Sequence, residues 1–312
     1  MTDIGPLEWI KLAIFYASYL YVVAAPLTFW FIVVNQGLMR WGAIAFFTSI
    51  SLLAYGRFVE PRIIDTAEHD IVLDGCFDVG GEMRLAVFSD THNGLFKNAM
   101  PINRIAREVA ASNPDFVLIA GDFIYFLAPE RFEESFGALN EISAPVFAIL
   151  GNHDIGLPGP DLRAPLRASL PNFGVRLIDN AALKISNEKF AIELVGLSDQ
   201  WGRRQNLSLL EPAALTPRIV LTHNPATIRD FTPASKADLL IAGHTHGGQI
   251  QLPILTCAIT GVCGDIAYGL RKERGIQIFT TSGTGMVGLP MRFGVPPRID
   301  VLNISYNECP AR

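Results

Sequence analysis

The residues best suited to chemistry in this 312-residue chain follow the ends of apolar runs. The densest group is Gly151-Asn152-His153-Asp154, which comes directly after the apolar run 145–150. Five of the six histidines lie in groups of this kind, and only His69 lies outside them. The other groups are Asp90-Thr91-His92, Gly121-Asp122, Thr222-His223 and Gly243-His244-Thr245-His246. Amide, imidazole and carboxylate side chains repeated at strand ends predict one shared site.

The types of these side chains favour metal chemistry. Carboxylate, imidazole and amide ligands without thiolates suit Mn²⁺, Fe or Zn²⁺, and the five groups together hold too many of them for one ion. Two divalent ions that share a bridging carboxylate fit the number better. Such a pair can hold both the attacking and the leaving oxygen of a phosphoryl displacement and can generate hydroxide near neutral pH. The residue types therefore indicate phosphoester hydrolysis.

Each residue also has an ordinary structural interpretation when it is taken alone. Asp90 and Asp122 are suited to cap helices that follow strands. The glycines of the groups are suited to tight turns. His223 precedes Asn224-Pro225, a pair that often begins a turn. The metal site is the stronger interpretation because these alternatives would have to coincide in every group.

The spacing of the first three groups predicts how they meet. Asp90, Asp122 and Asn152 follow one another at intervals of 32 and 30 residues, close to one βαβ unit of about 30 residues. Strands are predicted at 71–73, 84–89, 116–120 and 145–150, with helices at 101–111 and 129–140. Parallel strands joined by right-handed crossovers place their carboxyl ends along one sheet edge. The three side chains should therefore converge.

A second sheet is predicted from the later part of the chain. Short runs at 175–178, 182–185 and 190–197 favour antiparallel strands of this sheet. Runs at 218–221 and 238–242 end at His223 and at the group of His244 and His246. Runs at 276–280 and 298–301 close the sheet. The prediction is an α/β fold.

The amino-terminal region is predicted to be a membrane hairpin over residues 9–58. Half of the chain is hydrophobic and only 18% is charged, and residues 12–34 form an uncharged run long enough to cross about 30 Å of hydrocarbon. The second run, 41–56, is short for a span, but Arg40 and Arg57 can snorkel from its ends. A cleaved signal peptide or a buried helix pair are the alternatives. We expect residues 1–62 to be the anchor and 63–312 the catalytic domain.

Charge gives the expected orientation and excludes one class of partner. Lys11, Arg57 and Arg62 flank the hairpin on the side of the termini, which favours both termini, and the catalytic domain, in the cytoplasm. A net charge of −5 argues against nucleic-acid binding. The four cysteines have no metal-type spacing, and Cys257 and Cys263 either pair in an oxidising compartment or stay free thiols. Oligomeric state and the identity of the metal are left open.

The five groups, in order, resemble the signature blocks of the calcineurin-like metallophosphoesterases over about residues 83–302. The resemblance implies a sandwich of two mixed β-sheets flanked by helices. It also implies roles for the site residues. Asp90, His92 and His246 would hold one metal, Asn152, His223 and His244 the other, and Asp122 would bridge them. His153 would protonate or hydrogen-bond the leaving oxygen, Asp154 would orient His153, and a hydroxide shared by the metals would be the nucleophile.

Within the blocks, several residues differ from those of other branches of the superfamily, and these differences narrow the range of expected substrates. Protein phosphatases of the superfamily usually carry arginine and glutamate where this chain has Leu150 and Asp154, and the soluble hydrolase of the lipid A pathway usually has arginine in place of His153. The chain is more similar to bacterial membrane-anchored or exported phosphoesterases, which share Gly247-Gly248-Gln249-Ile250 and a late segment like Ser282-Gly283-Thr284-Gly285. One branch of that group hydrolyses the pyrophosphate of UDP-2,3-diacylglucosamine in lipid A synthesis.

The resemblance leaves three functions to compare. The first is a phosphohydrolase of a membrane-associated or nucleotide-linked pyrophosphate at the bacterial inner membrane. The second is a broad-specificity phosphodiesterase of exported or cell-envelope substrates. The third is a non-catalytic membrane scaffold, against which the intact blocks argue, because a scaffold has no chemical need of them.

Two further sets of residues are candidates for substrate contact. The apolar segment 252–259, with Leu157 and Pro158, either forms a wall for acyl chains or is a buried strand and turn. Five basic residues either meet substrate phosphates or are ordinary solvated charges. They are Arg163, Arg167, Arg271, Lys272 and Arg274.

Overall fold

The computed structural model describes residues 4–77, 81–96, 100–188, 190–211, 216–252, 256 and 267–308. Within these residues, two six-stranded sheets face each other, with helices on the outer side of the first. This α/β arrangement of mixed sheets confirms the predicted fold class.

The first sheet contains the early strands of the chain and the last one. Its order is β1 (Asp65–Phe77), β14 (Arg298–Glu308), β2 (Glu82–Phe88), β4 (Phe116–Ile119), β6 (Val146–Ala148) and β7 (Val175–Leu177). The strands β2, β4, β6 and β7 are parallel, whereas β14 runs antiparallel to β2. The helices α4 (Ile102–Ala111), α5 (Phe132–Phe136) and α6 (Arg163–Ser169) lie in the connections between these strands.

The second sheet holds the later strands. Its order is β12 (Gly269–Glu273), β13 (Ile276–Thr280), β11 (Leu239–Ala242), β10 (Arg218–Leu221), β9 (Ala191–Gly196) and β8 (Ala181–Ser186). The four strands from β13 to β9 are parallel, and each edge strand is antiparallel to its neighbour. A small parallel pair, β3 (Asn93–Gly94) and β5 (Ile124–Tyr125), lies outside both sheets.

Side chains that alternate along the buried strands form the core on both faces of the first sheet. In β2, Leu85 and Val87 pack between the two sheets, while Ala86 and Phe88 pack against the helices. Because successive side chains of a strand point to opposite faces, a strand covered on both sides is apolar at every position. This explains why the site-bearing strands read as continuous apolar runs.

Four details differ from the sequence-based expectations. The run 298–301 does not close the second sheet, because β14 lies in the first sheet between β1 and β2. Residues 175–177 form the edge of the first sheet, parallel to β6, and are not an antiparallel strand of the second. The connection from 129 to 141 is two short 3₁₀ segments around α5, not one helix. The first strand is much longer than 71–73, because β1 pairs with β14 along most of its length.

The amino-terminal region is a helical hairpin. Its first arm contains α1 (Pro6–Ala17), a 3₁₀ turn and α2 (Tyr21–Val34), and its second arm is α3 (Gly37–Ala54), continued by irregular helix to Arg62. Both arms are long and apolar enough to cross a bilayer, with mean hydropathies of 1.8 and 1.4, although a signal sequence or a core helix meets the same criterion. None of the apolar stretch in the first arm is buried, and 22% of that in the second arm is. A core helix would be mostly buried.

The end of the second arm is fixed to the loop that carries Arg292 and Val295. The expectation that Arg57 snorkels from the helix end is wrong, because Arg57 is only 4% exposed and its guanidinium stacks 4.1 Å from the Phe15 ring centroid. The main-chain amide of Arg292 donates to the Gly56 carbonyl at 2.9 Å. The amide of Val295 donates to Glu60 Oε1 at 2.7 Å. These buried contacts join the hairpin to a loop of the domain.

Candidate metal centre

The predicted site residues lie at the carboxyl ends of parallel strands of both sheets. Asp90, Asp122 and Asn152 follow β2, β4 and β6, and His223 and His244 follow β10 and β11. The backbones of five site residues are left-handed, which costs free energy for a non-glycine residue and is frequent at functional sites. These five are Asp90, His92, Asp122, His244 and His246.

The first group of side chains surrounds Asp90. Its Oδ2 accepts hydrogen bonds from the Ser89 hydroxyl and from the His244 amide. Its Oδ1 is buried without a hydrogen bond and lies 3.4 Å from His246 Nε2 and 3.8 Å from His92 Nε2. The two Nε2 atoms are 2.9 Å apart. Oδ1 and the two Nε2 atoms therefore lie within 3.8 Å of one another.

The second group surrounds His223. Its Nδ1 donates to the Ala120 carbonyl at 2.7 Å, so Nε2 of the neutral ring is an acceptor. That Nε2 lies 3.0 Å from Asn152 Oδ1 and 3.2 Å from His244 Nδ1. The Asn152 amide is oriented by its Nδ2, which donates to the Leu157 carbonyl at 2.5 Å. Two acceptors that face each other need a cation or a proton between them.

Asp122 lies between the two groups. Its Oδ1 accepts the His153 amide hydrogen at 2.9 Å. Its Oδ2 is 3.2 Å from His223 Nε2 and 3.6 Å from His92 Nε2. Asp122 Oδ2 therefore lies within 3.6 Å of a ring nitrogen from each group.

The residues present fit divalent metal ions. Three sets of ligand atoms lie within 4.8 Å of one another: Asp90, His92 and His246; His92, Asp122 and His153; and Asp122, His223 and His244. Facing lone pairs and an unpaired buried carboxylate oxygen are what hard or borderline cations require. The structure brings all seven predicted ligands together. Their assignment to particular ions stays a prediction.

The surroundings of the site histidines shift their pKa values in different directions. Burial lowers the pKa values of His92 and His246, and lowers that of His244 to about 4, so these rings are neutral and able to bind a metal. For His223, burial acts in the same direction, but the carboxylate of Asp122 outweighs it and raises the pKa. Burial alone would raise the pKa of Asp122, yet the neighbouring histidines hold it well below its usual range.

His153 borders the ligands, and Asp154 does not contact its ring. The His153 ring lies 4.9 Å from the His92 ring, and burial lowers its pKa. Asp154 Oδ1 accepts the Ile124 amide at 3.1 Å and Oδ2 accepts the Gly151 amide at 2.9 Å. No hydrogen bond joins Asp154 to the His153 imidazole in the described part of the chain. The expected orienting role is therefore corrected, because this carboxylate fixes the turn that carries Asn152 and His153.

Sequence reasoning missed a contact between the hairpin and the site. The Tyr125 ring packs edge to face on His153, with the centroids 4.9 Å apart. Lys11 of α1 donates to the Tyr125 hydroxyl at 2.6 Å and forms an ion pair with Glu8 at 3.2 Å. Burial raises the pKa of Tyr125, so its hydroxyl stays protonated. The charged pair Glu8 and Lys11 inside an apolar helix was the available signal.

The segment 282–295 holds the main chain of Asp90 in place. Arg292 is fully buried, and its guanidinium donates to the carbonyls of Ser282, Gly285 and Val295. The amides of Thr284 and Gly285 donate to the Ser89 and Asp90 carbonyls at 3.0 and 2.7 Å. Arg292 thus holds the loop that fixes the main chain of the first ligand.

The five basic candidates are occupied by local partners. Arg163 pairs with Asp161, Arg167 with Asp179, Arg271 with Glu273 and Lys272 with Asp74. Arg274 donates to the carbonyls of the segment that precedes Thr232. These contacts favour the surface-charge interpretation. Of the apolar segment 252–259, only Leu252 and Thr256 lie within the described residues, and Cys257 and Cys263 lie outside them.

Comparisons with known proteins agree on one family. The family model described as calcineurin-like phosphoesterase matches residues 83–248. Phosphodiesterase YaeI of Escherichia coli (strain K12) is 28% identical over 257 residues, which cover 80% of this chain and 92% of the relative. Metallophosphoesterase YkuE of Bacillus subtilis (strain 168) is 29% identical, covering 80% and 88%. UDP-2,3-diacylglucosamine pyrophosphatase LpxG of Chlamydia muridarum is 24% identical, covering 81% and 92%.

Proposed function

Because this chain belongs to the calcineurin-like phosphoesterase family and is therefore a phosphoester hydrolase, we propose that it is a membrane-anchored enzyme that cleaves a phosphodiester or pyrophosphate bond with two divalent metal ions. The position of Asp122 Oδ2, 3.6 Å from His92 Nε2 and 3.2 Å from His223 Nε2, carries the proposal. One carboxylate oxygen shared by two groups of ligands suits a pair of cations with a common bridge.

The ligands divide between the two ions as the family resemblance implies. Asp90, His92 and His246 would hold one ion, Asn152, His223 and His244 the other, and Asp122 would contact both. Mn²⁺, Fe or Zn²⁺ suits this donor set. When bound, the ions supply charge stabilisation of the phosphoryl oxygens and a lowered pKa of water.

We assign the action on the leaving oxygen to His153, which borders the predicted ligands. Its main chain is fixed by Asp122 and its ring by Tyr125. A lowered pKa keeps the imidazole neutral, so it donates a hydrogen bond from one ring nitrogen and does not carry a full charge. Removing one such hydrogen-bond donor from a developing negative charge costs about 100- to 1,000-fold in rate.

A lipid-linked pyrophosphate is the substrate that the hairpin supports best. A relative at 24% identity carries the name UDP-2,3-diacylglucosamine pyrophosphatase, and an anchor places the site beside a lipid that stays in the bilayer. We assign residues 1–62 to the anchor, 63–312 to the catalytic domain, and the catalytic domain to the cytoplasmic face of the inner membrane. The relative named phosphodiesterase supports a broader diesterase as the second candidate.

Purified protein with Mn²⁺ and bis(4-nitrophenyl) phosphate tests the proposal. We expect His153→Ala to lose about 100-fold or more in kcat. Asp122→Asn should lose at least as much and should also bind Mn²⁺ more weakly, since even residues that only support metal ligands cost about 10- to 100-fold. His69→Gln is the control, because His69 binds Asp300 away from the site.

Metal binding has its own readout. Trp201 lies 4.9 Å from the His244 ring, centroid to centroid, so paramagnetic Mn²⁺ should quench its fluorescence in wild type and not in Trp201→Phe. Quenching without hydrolysis of any ester would favour the scaffold. Release of UMP from UDP-2,3-diacylglucosamine distinguishes the pyrophosphatase from the broader diesterase.

A further inference from the structure

A large apolar cavity lies between the hairpin and the metal centre. Its volume is about 760 Å³, within the range of about 300 to 1,000 Å³ for small-molecule sites. Leu52 and Leu53 of α3 form one wall, and Ile250, Leu252, Leu289 and Phe293 of the domain form the other. The anchor is therefore part of the cavity.

Apart from His246, the polar side chains in the lining are hydrogen-bonded to the main chain. Gln249 Nε2 donates to the carbonyls of Val287 and Leu289 at 2.9 and 2.8 Å, and its Oε1 accepts the Val287 amide at 2.8 Å. Thr256 Oγ1 donates to the Ile250 carbonyl at 2.5 Å. An occupant of this part of the cavity gains by burying apolar surface, not by hydrogen bonding.

The cavity borders one of the predicted metal ligands. His246 lines it, and Nε2 of the same ring lies 3.4 Å from Asp90 Oδ1. A phosphoryl group at the ligands and an apolar chain in the cavity can therefore belong to one molecule.

The outer end of the cavity is open and apolar. Leu52 and Leu53 are 51% and 58% exposed, and Leu289 on the opposite wall is also exposed. A patch of this kind on a helix long enough to span a bilayer is suited to contact with lipid chains. The cavity thus connects the region where lipid chains would lie to the catalytic groups.

We propose that this cavity binds the alkyl chain of an amphiphilic phosphoester while its phosphoryl group lies at the metal centre. The inference rests on the proposed function, because it names the substrate class of the same site. The anchor then serves in specificity as well as in localisation, since α3 supplies one wall of the binding surface.

A series of 4-nitrophenyl alkyl phosphates tests the proposal on the full chain in detergent micelles with Mn²⁺. We expect kcat/KM to rise from the methyl through the octyl to the dodecyl ester, by up to about fourfold per buried methylene. Leu52→Trp and Leu289→Trp fill the cavity from opposite walls, and each should reduce the ratio of dodecyl to methyl kcat/KM toward one. Phe46→Trp, on α3 but outside the lining, is the matched control and should keep the wild-type ratio.

Binding to the metal-free protein separates this proposal from the proposed function. Calorimetry with dodecyl phosphate should show a negative heat-capacity change, reduced in Leu52→Trp and Leu289→Trp and retained in Phe46→Trp. If no ester is hydrolysed but this pattern of binding is found, the hydrolase proposal fails and the cavity stands. If both tryptophan variants keep the wild-type chain-length ratio and bind dodecyl phosphate as wild type does, the cavity proposal is overturned.

Discussion

At the scale of single residues, the site depends on side chains whose lone pairs are directed at one another by bonds on their far sides. The Ala120 carbonyl fixes His223, the Leu157 carbonyl fixes Asn152, and the Ser89 hydroxyl with the His244 amide fixes one oxygen of Asp90. Partners of this kind commonly set the orientation of metal ligands. Bonds within the protein thus orient His223, Asn152 and Asp90.

Gly151→Ala tests how tightly this geometry is built. A Cβ at Gly151 would lie 2.6 Å from the main-chain nitrogen of Asp122 and still closer to its carboxylate, so Asp122 would have to move. We expect a loss of at least about 10-fold in hydrolysis and weaker quenching of Trp201 by Mn²⁺. Gly42→Ala is the control, because a Cβ there meets no atom within 4 Å. Wild-type activity and Mn²⁺ affinity in Gly151→Ala would contradict this account.

Asp154→Asn tests the corrected role of Asp154. Since both carboxylate oxygens accept main-chain amides, the amide side chain replaces one acceptor with a donor, which we expect to cost about 1–3 kcal/mol of unfolding free energy. The decrease in kcat should be smaller than that of His153→Ala, and the pH profile should keep its shape. Thermal unfolding and rate against pH measure the two effects. A changed profile with unchanged stability would restore the orienting role.

At the scale of elements, the sequence predicts what is set by strand ends and misses what is set by packing between distant segments. The intervals between Asp90, Asp122 and Asn152 each match one βαβ unit. They therefore predicted that the three residues follow parallel strands at one edge of the first sheet. The strand at 175–177 was assigned to the wrong sheet, since a three-residue run has too little pattern to show which neighbour it pairs with. The contact of Lys11 with Tyr125 joins residues 114 positions apart, and no local pattern reports such a contact.

Lys11→Met tests the contact between α1 and the catalytic domain. The variant removes the donor to Tyr125 and leaves Glu8 buried without its partner, so we expect faster amide exchange in Pro6–Ala17 and around Tyr125. Tyr125→Phe should produce a similar change, and the double variant should add little. Arg40→Met, in the turn of the hairpin, is the control. Unchanged exchange in both single variants would show that this contact does not hold the helix.

At the scale of the whole molecule, both arms of the hairpin contact the catalytic domain, on the side away from the turn. Lys11 and Phe15 of the first arm contact the domain, and Gly56 and Glu60 of the second arm bind the loop of Arg292. The sequence predicted the two arms from hydropathy alone. It did not predict their fit to the domain, because that fit is set by shape and by main-chain hydrogen bonds, which hydropathy does not record.

Labelling of single cysteines tests the membrane arrangement. With the native cysteines replaced, we expect Gln36→Cys in the turn and Asn103→Cys on α4 to react with an impermeant maleimide from opposite sides of the membrane. Asn103→Cys should react only in inverted vesicles if the catalytic domain is cytoplasmic. Labelling of both from the same side would mean that the hairpin lies along the interface and does not cross.

The hydrogen bond between Gly56 and Arg292 has a kinetic consequence. It ties the loop behind Asp90 to the segment that continues α3, so in the proposed membrane-anchored arrangement the catalytic groups would stay at a constant height above the leaflet. For a lipid substrate, encounter is then a lateral search in two dimensions. Turnover should follow the mole fraction of the lipid within the surface, and dilution with inert lipid should slow the enzyme even when the bulk concentration is unchanged.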